Sequence, residues 1–428
     1  MASDRARPIK AGEVPPKSFE KGHRIPTIDA MKGMSMVMIL YCHLGWGWRA
    51  PDWYVFFRFQ WLVLDFFGPI MFLTMSVLGF LASHAGELAS GQPVRHTRQE
   101  LVRISALFLI GEAINFYSIG YLGAYHVTGW NVVTTIAMVS LLMPGILRIK
   151  PWARLLLVSC VVLVYYPLAN ELISALDAAG VAHDSITASL ISEDPRTFWY
   201  WLLLHHGQMM PIFSWIVVPL VASIIFTPLL GKFQALDKVA RHRELDRILL
   251  AGVVMIAGGV LTGFQIFPGY GPNMRFEMTT PGDLYFNWPW PDGIPFFLTR
   301  HVPQYLFYML GFVCVIFALL GEVQLVRGQL TGRSKIIALG KLSLSAFLLS
   351  HVPLMFKDIH LPLPIFFLIF IPLLVAIIHA FGAWVYKFNS KGSMEWAIGH
   401  YTRLVQGMIG RIEKMRINRE MVSRPPVP

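Results

Sequence analysis

Charged side chains and cysteines are scarce in this chain of 428 residues. Only 14% of its residues are Asp, Glu, Lys or Arg, whereas soluble globular proteins carry about 25%. Together with 55% hydrophobic residues and a mean hydropathy of +0.54, this shortage excludes a soluble globular protein. The three cysteines lie in hydrophobic segments without the spacing of a metal site or a disulfide framework, so we interpret them as small core residues.

Several catalytic motifs are also missing. The sequence has no glycine-rich phosphate loop, no His-Glu-x-x-His metal motif and no Gly-x-Ser-x-Gly nucleophile motif. Hydrolysis by a metal or by a serine triad is therefore not expected, and no metal is predicted. No basic domain stands apart from the hydrophobic segments, so the net charge of +11 does not indicate nucleic-acid binding.

Hydrophobic runs of membrane-spanning length recur along the whole chain. A helix needs about 20 apolar residues to cross a bilayer, and it satisfies its own backbone hydrogen bonds there. The sequence therefore predicts an all-α polytopic membrane helix bundle with ten spans. Their approximate ranges are 30–48, 62–83, 101–119, 129–147, 153–172, 205–229, 247–267, 302–322, 336–356 and 362–386.

The positions of lysine and arginine predict how the bundle is oriented. If the N-terminus is cytoplasmic, all but six of these 36 residues fall on inner segments. The six outer ones are Arg49, Arg58, Arg196, Arg275, Arg300 and Lys357. Since basic residues accumulate on the cytoplasmic side of membrane proteins, this bias predicts that both termini lie inside.

The same topology divides the chain into three parts. Residues 1–27 are predicted to be a basic cytoplasmic tail, residues 28–388 the transmembrane domain, and residues 389–428 a second cytoplasmic tail. Apolar side chains recur at helical spacing between residues 397 and 415, with basic side chains on other faces. This pattern predicts an amphipathic helix that lies on the inner leaflet.

Ionisable side chains inside the spans are candidate functional residues because they are costly to keep in hydrocarbon. His43 lies near the outer end of the first span, Asp65 near the outer start of the second, and His351 near the outer end of the ninth. An imidazole beside a carboxylate can accept and return a proton near neutral pH. The alternative is an Asp65–His43 pair that only ties two helices together.

Other charged residues are open to two interpretations. Glu112, in the middle of the third span, either locks helices together, which we favour, or lines a substrate path. A set of inner-side cations could hold a phosphate-rich ligand, although the positive-inside distribution alone would produce the same set. The members of this set are Arg24, Lys32, Arg95, Arg98, Arg103 and Lys341.

Two segments resemble the integral-membrane acyltransferase-3 family. They are Ile28-Asp29-x-x-Lys32-Gly33 followed by His43, and Leu339-Gly340-x-x-Ser343 followed by Leu349-Ser350-His351-Val352-Pro353. Three further segments are similar to the related group typified by heparan-α-glucosaminide N-acetyltransferase. These are Asp65-Phe-Phe-Gly-Pro69, Met210-Pro211-Ile-Phe-Ser-Trp215 and Gly392-Ser-Met-Glu395-Trp396. Lys32 stands where arginine is usual. Lysine keeps the positive charge but cannot form the bidentate hydrogen bonds that arginine makes with phosphate.

The resemblance implies a membrane acyltransferase that uses cytoplasmic acyl-CoA, with acetyl-CoA as the expected donor. The acceptor would be a hydroxyl or amine of an extracytoplasmic glycan, and the location a bacterial cytoplasmic (inner) membrane. His43 would act as base or acyl acceptor, Asp65 as its partner, and His351 as a site histidine of unassigned role. The alternative is a proton-coupled transporter or flippase for a sugar or lipid intermediate, with His43, Asp65 and Glu112 as a proton relay. A homo-oligomer is left open.

Overall fold

The computed structural model describes residues 25–48, 64, 67–122, 131–178, 196, 199, 212–231, 236–263, 303–327, 334–352 and 359–422. Within these ranges every regular element is helical and no extended strand is present, while short links such as residues 92–97 are not helical. The helices are α1 (Pro26–Trp48), α2 (Pro69–Ser83), α3 (Ala85–Ser90), α4 (Arg98–Leu122), α5 (Val132–Arg148), α6 (Pro151–Ala178), α7 (Ile212–Trp215), α8 (Val217–Leu230), α9 (Lys238–Gly263), α10 (Pro303–Gly321), α11 (Lys335–Lys341), α12 (Ser343–Ser350), α13 (Leu363–Phe388) and α14 (Met394–Val422). A short π-helical turn, Glu322–Val326, follows α10.

Each of the ten predicted spans contains described helix. Among the described residues, four helical segments are long and apolar enough to cross a bilayer: Ile212–Leu230, Lys238–Gly263, Pro303–Gln324 and Leu363–Phe388. Three shorter apolar segments accompany them: Pro69–Ser83, Val132–Arg148 and Pro151–Tyr165. The all-helical class is therefore confirmed, whereas the count of ten spans and the N-in, C-in orientation stay predictions.

Glycines allow α10 to pack closely against α9. A Cβ atom on Gly311 of α10 would lie 2.6 Å from the carbonyl oxygen of Gly252 on α9. One Cβ on Gly259, two turns further along α9, would lie 2.9 Å from the carbonyl oxygen of Gln304. Small residues at such positions let two helix backbones approach closely, which is how helices associate within a membrane.

Aromatic and aliphatic side chains fill the centre of the bundle. Helix α2 packs against α1, α5, α8 and α10, and it buries most of its side chains. Phe226 of α8 and Phe317 of α10 meet edge to face, with ring centroids 4.9 Å apart. Edge-to-face packing is favourable because the positive edge of one ring meets the negative face of the other.

The ninth predicted span differs from expectation because it is not one continuous helix. The backbone breaks at Leu342, with φ −110° and ψ 35°, which separates α11 from α12. In an unbroken helix the N–H groups of Leu344 and Ser345 would donate to carbonyls four residues earlier. They donate instead to Oε1 of Glu395, at 2.7 and 3.2 Å. A carboxylate from another helix therefore replaces the missing intrahelical acceptors.

The predicted amphipathic segment forms the long helix α14, which packs against α4 and α12. Its predicted apolar residues remain largely exposed: Tyr401, Leu404, Met408, Ile412 and Met415. Arg98 of α4 pairs with Glu413 on this helix. The exposed apolar stripe is the surface that would contact lipid if α14 lies on a membrane.

Candidate functional site

His43 is buried near the C-terminal end of α1 and contacts α12. Its Nδ1 atom lies 3.1 Å from the carbonyl oxygen of Ser350 and 3.0 Å from the hydroxyl oxygen of the same residue. The Ser350 hydroxyl donates its own proton to the carbonyl of Phe347, at 2.6 Å. Two oxygen atoms of Ser350, at the end of α12, therefore contact Nδ1 of His43 on α1.

These contacts fix the tautomer of His43. A carbonyl oxygen can only accept a hydrogen bond, and the Ser350 hydroxyl has already donated its one proton. Nδ1 must therefore carry the proton, and Nε2 is the basic nitrogen of the neutral ring. A buried imidazole that is held in this tautomer is prepared to remove a proton or to attack a carbonyl carbon through Nε2.

His351 lies directly against His43, as two histidines of one site would. The two rings meet edge to face, with centroids 4.8 Å apart. His351 Nδ1 donates to the carbonyl oxygen of Phe347, at 2.9 Å, so its Nε2 is also the basic nitrogen of the neutral ring. The Phe347 ring lies 4.7 Å from His351 and 6.4 Å from His43, between centroids. Two predicted site histidines, far apart in sequence, are thus neighbours.

Two glycines allow the helices that carry this pair to cross at close range. A Cβ atom on Gly340 of α11 would lie 1.8 Å from the carbonyl oxygen of Asp29 on α1. One on Gly33 would lie 2.0 Å from the carbonyl oxygen of Ile336. The side chain of Ser35 also donates to the carbonyl of Gly68, which ties α1 to the start of α2. The segment that begins at Ile28 and the segment that begins at Leu339 therefore meet beneath the two histidines.

Asp65 and Arg24 lie outside the described residues, so their predicted roles stay predictions. The acceptors found at Nδ1 of His43 belong to Ser350, a residue that the sequence reasoning did not single out. It stands next to His351 in a quoted motif, but its contact with His43 spans 307 positions of the chain. Helical periodicity carries no information about such a pairing between distant helices.

The predicted inner-side cations occupy two regions of the described structure. Lys32 lies beside the Gly33 crossing, and Lys341 ends α11 with its Nζ 5.7 Å from the centre of the Tyr386 ring. Three arginines belong instead to α4 or the segment before it, where all are exposed: Arg95, Arg98 and Arg103. Arg98 is paired with Glu413. A common ligand for both groups stays a prediction.

Glu112 belongs to a polar network that joins α4 to α5. Its Oε1 accepts from the Asn115 amide at 3.4 Å, and Asn115 accepts in turn from the Asn131 amide at 2.7 Å. Asn131 also caps α5 by accepting from the N–H groups of Val133 and Thr134. These contacts favour a helix lock over a substrate path.

An ion pair joins α2 to α4 at the end of α2 that we predict to face the cytoplasm. Nε2 of His84 lies 3.2 Å from Oε1 of Glu100. Burial lowers the pKa of His84, but the hydrogen bonds to Glu100 and to the Phe80 carbonyl outweigh it and raise the pKa above its usual value. Burial raises the pKa of Glu100, but the bonds from His84 and Thr97 outweigh it and lower the pKa to about 2. Both groups are therefore charged at mildly acidic pH.

Comparison with known proteins identifies one family. The model of the catalytic region of heparan-alpha-glucosaminide N-acetyltransferase matches residues 24–244, slightly more than half of the chain. The match includes His43 and the whole of α1 to α8, whereas α12 with His351 lies beyond it. No curated protein and no solved structure matches the chain.

Proposed function

The chain belongs to the heparan-alpha-glucosaminide N-acetyltransferase catalytic family, and we propose that it transfers an acetyl group from acetyl-CoA to a glycan across a membrane. The donor is bound on the cytoplasmic side, and the acceptor is a hydroxyl or amine of an extracytoplasmic carbohydrate. The location is the cytoplasmic membrane of a bacterium. The observation that supports this proposal best is the buried His43, whose Nδ1 proton is held by Ser350 while His351 lies beside the ring.

Acetyl transfer needs a group that removes a proton from the acceptor. In a direct route, Nε2 of His43 takes the proton of the acceptor hydroxyl while the oxygen attacks the thioester carbon. The carbon–sulfur bond breaks, and the departing thiolate receives the proton from the imidazolium. In a two-step route, Nε2 attacks the thioester carbon, the carbon–sulfur bond breaks, CoA leaves as the thiolate, and the acetyl group stays on the imidazole. The acceptor oxygen or nitrogen then attacks the acetyl carbon, and the carbon–nitrogen bond breaks to return the imidazole. We propose that His351, whose ring lies against that of His43, takes the acceptor proton in this second step.

The donor is expected to approach from the inner end of α1 and α11. Lys32 and Lys341 lie on these two helices at their close crossing. Arginine and lysine side chains bind phosphate, so these residues, with Arg24, Arg95, Arg98 and Arg103, are proposed to hold the phosphates of CoA. The thioester would then reach between the helices toward His43.

A transfer assay tests this proposal. Purified protein in lipid nanodiscs is supplied with radiolabelled acetyl-CoA and with glucosamine or glucose, which offer an amine or only hydroxyls. We expect labelled sugar from the wild type and a loss of about 10²–10⁴-fold in rate for His43→Ala, the usual contribution of a general base. His379→Ala is the matched control, because His379 donates Nδ1 to the carbonyl four residues earlier, as His351 does, but is exposed on α13.

Two results would contradict the proposal. One is wild-type protein that binds acetyl-CoA yet transfers no label to either sugar or to water. The other is a wild-type transfer rate in both His43→Ala and His379→Ala protein.

A further inference from the structure

Glu395, in the first turn of α14, is bonded entirely to the start of α12. Its Oε1 accepts the backbone N–H groups of Leu344 at 2.7 Å and of Ser345 at 3.2 Å. Its Oε2 accepts the hydroxyl of Ser345 at 2.6 Å. The same hydroxyl oxygen accepts the backbone N–H of Met394 at 2.9 Å, which closes a ring of bonds between the two helices.

This carboxylate fills the role that a capping residue usually has within its own helix. The first N–H groups of a helix have no partner inside it, and side-chain oxygens normally accept them. The residue before α12 is Leu342, which has no side-chain acceptor. A negative charge at this end is also favoured by the helix dipole. The N-terminus of α12 therefore depends on an acceptor from α14.

The backbone before Glu395 is shaped to present it. Gly392 has φ +78°, a conformation that residues with a Cβ atom rarely adopt. The buried Ser393 then accepts the N–H of Trp396 at 3.1 Å and caps α14 itself. The carboxylate thus projects from a fixed turn and not from a free helix end.

The helix that Glu395 holds is the one that carries the site. α12 has only eight residues, ends at Ser350 and is followed at once by His351. Ser345 and Ser350 are about 7.5 Å apart along the helix axis, at ~1.5 Å per residue. The break at Leu342 separates α12 from α11, and the bonds to Glu395 tie the first turn of α12 to α14.

We infer that Glu395 is a positioning residue for the His43–Ser350–His351 site, an inference whose catalytic part rests on the proposed acetyl transfer. It touches neither histidine. By holding the first turn of α12, it keeps the Ser350 acceptors at Nδ1 of His43 and keeps His351 against the ring.

The first test separates kcat from KM for acetyl-CoA. For Glu395→Ala we expect kcat to fall by about tenfold or more, because small misplacements of catalytic groups are costly, while KM stays within about twofold. Glu395→Gln keeps an oxygen for both backbone N–H groups and is expected to recover most of the lost kcat. The matched control is Asp246→Asn, which changes an exposed carboxylate on α9 that pairs with His242.

The second test measures the approach of Ser350 to His43 by cross-linking and does not depend on activity. His43 Nδ1 and Ser350 Oγ are 3.0 Å apart, so cysteines at these two positions would face each other, and a disulfide between them would report how closely α1 and α12 approach. In a chain with the native Cys42, Cys160 and Cys314 changed to serine, we expect His43→Cys and Ser350→Cys to cross-link under mild oxidation. Adding Glu395→Ala is expected to slow this cross-link, and adding the control change Asp246→Asn is not.

The outcomes distinguish the two proposals. Unchanged kcat and unchanged cross-linking in folded Glu395→Ala protein would overturn the positioning role, as would a Glu395→Gln protein no better than Glu395→Ala. A wild-type protein without transfer activity would overturn the proposed function, and the cross-linking rates would still decide whether Glu395 sets the geometry.

Discussion

Replacing Gly340 with alanine perturbs the closest helix crossing beneath the candidate site. The added Cβ would lie 1.8 Å from the carbonyl oxygen of Asp29, whereas ordinary contacts begin at 3.4 Å. The helices α1 and α11 would have to separate by about 1.6 Å at this point, because both neighbours are backbone atoms and cannot rotate away. The same Cβ would also lie 2.9 Å from the backbone nitrogen of Gly33.

The magnitude follows from two opposing effects. Overpacking in a well-packed interior costs typically about 1–3 kcal/mol, and a separation of this size places Gly340→Ala at about 3 kcal/mol, the upper end of that range. Alanine favours the helical state by up to ~1 kcal/mol over glycine. We therefore expect a net loss of about 2 kcal/mol in the free energy of unfolding for Gly340→Ala. Gly258→Ala, on α9, is the matched control, because its Cβ would meet nothing within 4 Å.

The assay is equilibrium unfolding in mixed micelles, together with acetyl-CoA turnover. Gly340→Ala is expected to unfold at a clearly lower denaturant concentration than wild type and to lose activity, since α1 and α12 both carry site residues. Gly258→Ala is expected to match or exceed the wild type in both. Equal stability of the two variants would show that α1 and α11 do not cross at Gly340, and the helix arrangement at the site would be wrong.

Three further perturbations have defined outcomes. The pair of His84 (pKa raised above 6.5) and Glu100 (pKa lowered from 4.5 to about 2) stabilises the fold fully between pH 4.5 and 6.5. This stabilisation is lost above the folded pKa of His84 and as pH falls toward 2. Glu100→Gln should therefore lower the melting temperature more at pH 5.5 than at pH 9. An equal decrease in melting temperature at both pH values would refute the ion pair. Ser350→Ala keeps the backbone carbonyl that accepts from His43 and removes one neutral hydrogen bond of about 1 kcal/mol, so kcat should fall about fivefold. A fall as large as that for His43→Ala would refute the tautomer assigned to His43. A spin label at Leu404 in nanodiscs should be more accessible to oxygen than to a water-soluble nickel chelate. A label at Arg403, which is exposed on another face of the same helix, should show the reverse. If both labels behave alike, α14 does not lie along lipid.

Hydrophobic runs were sufficient to predict the helices, because a membrane leaves few options for the backbone. They were not sufficient to predict the break at Leu342, since the apolar run continues through it and Glu395, whose carboxylate accepts the N–H group of Leu344, lies 51 positions after that residue. Hydropathy measures how apolar a segment is and says nothing about which distant carboxylate will accept its N–H groups.

His43 and His351 were each predicted from their places near the outer ends of spans, and the structure adds that their rings touch. Ser350 was missed because a serine in an apolar helix is usually unremarkable, and its contact with His43 depends on how α1 and α12 are packed. Gly33 and Gly340 stand in the quoted motifs, yet only the packing shows that they face each other. Contacts between distant helices were the part that one sequence could not supply.

The most direct test of the account is single-turnover cleavage of the acetyl-CoA thioester by purified protein. Wild type and His43→Ala are mixed with acetyl-CoA and an acceptor sugar, and free CoA thiol is measured with time after the bound fraction has been determined. We expect that both proteins bind acetyl-CoA and that the wild type releases CoA. His43→Ala should release it at least about 10²-fold more slowly at unchanged folding. Wild-type protein that binds no acetyl-CoA, or a His43→Ala protein that releases CoA as fast as wild type, would contradict the account, and the first of these results would favour the proton-coupled transporter.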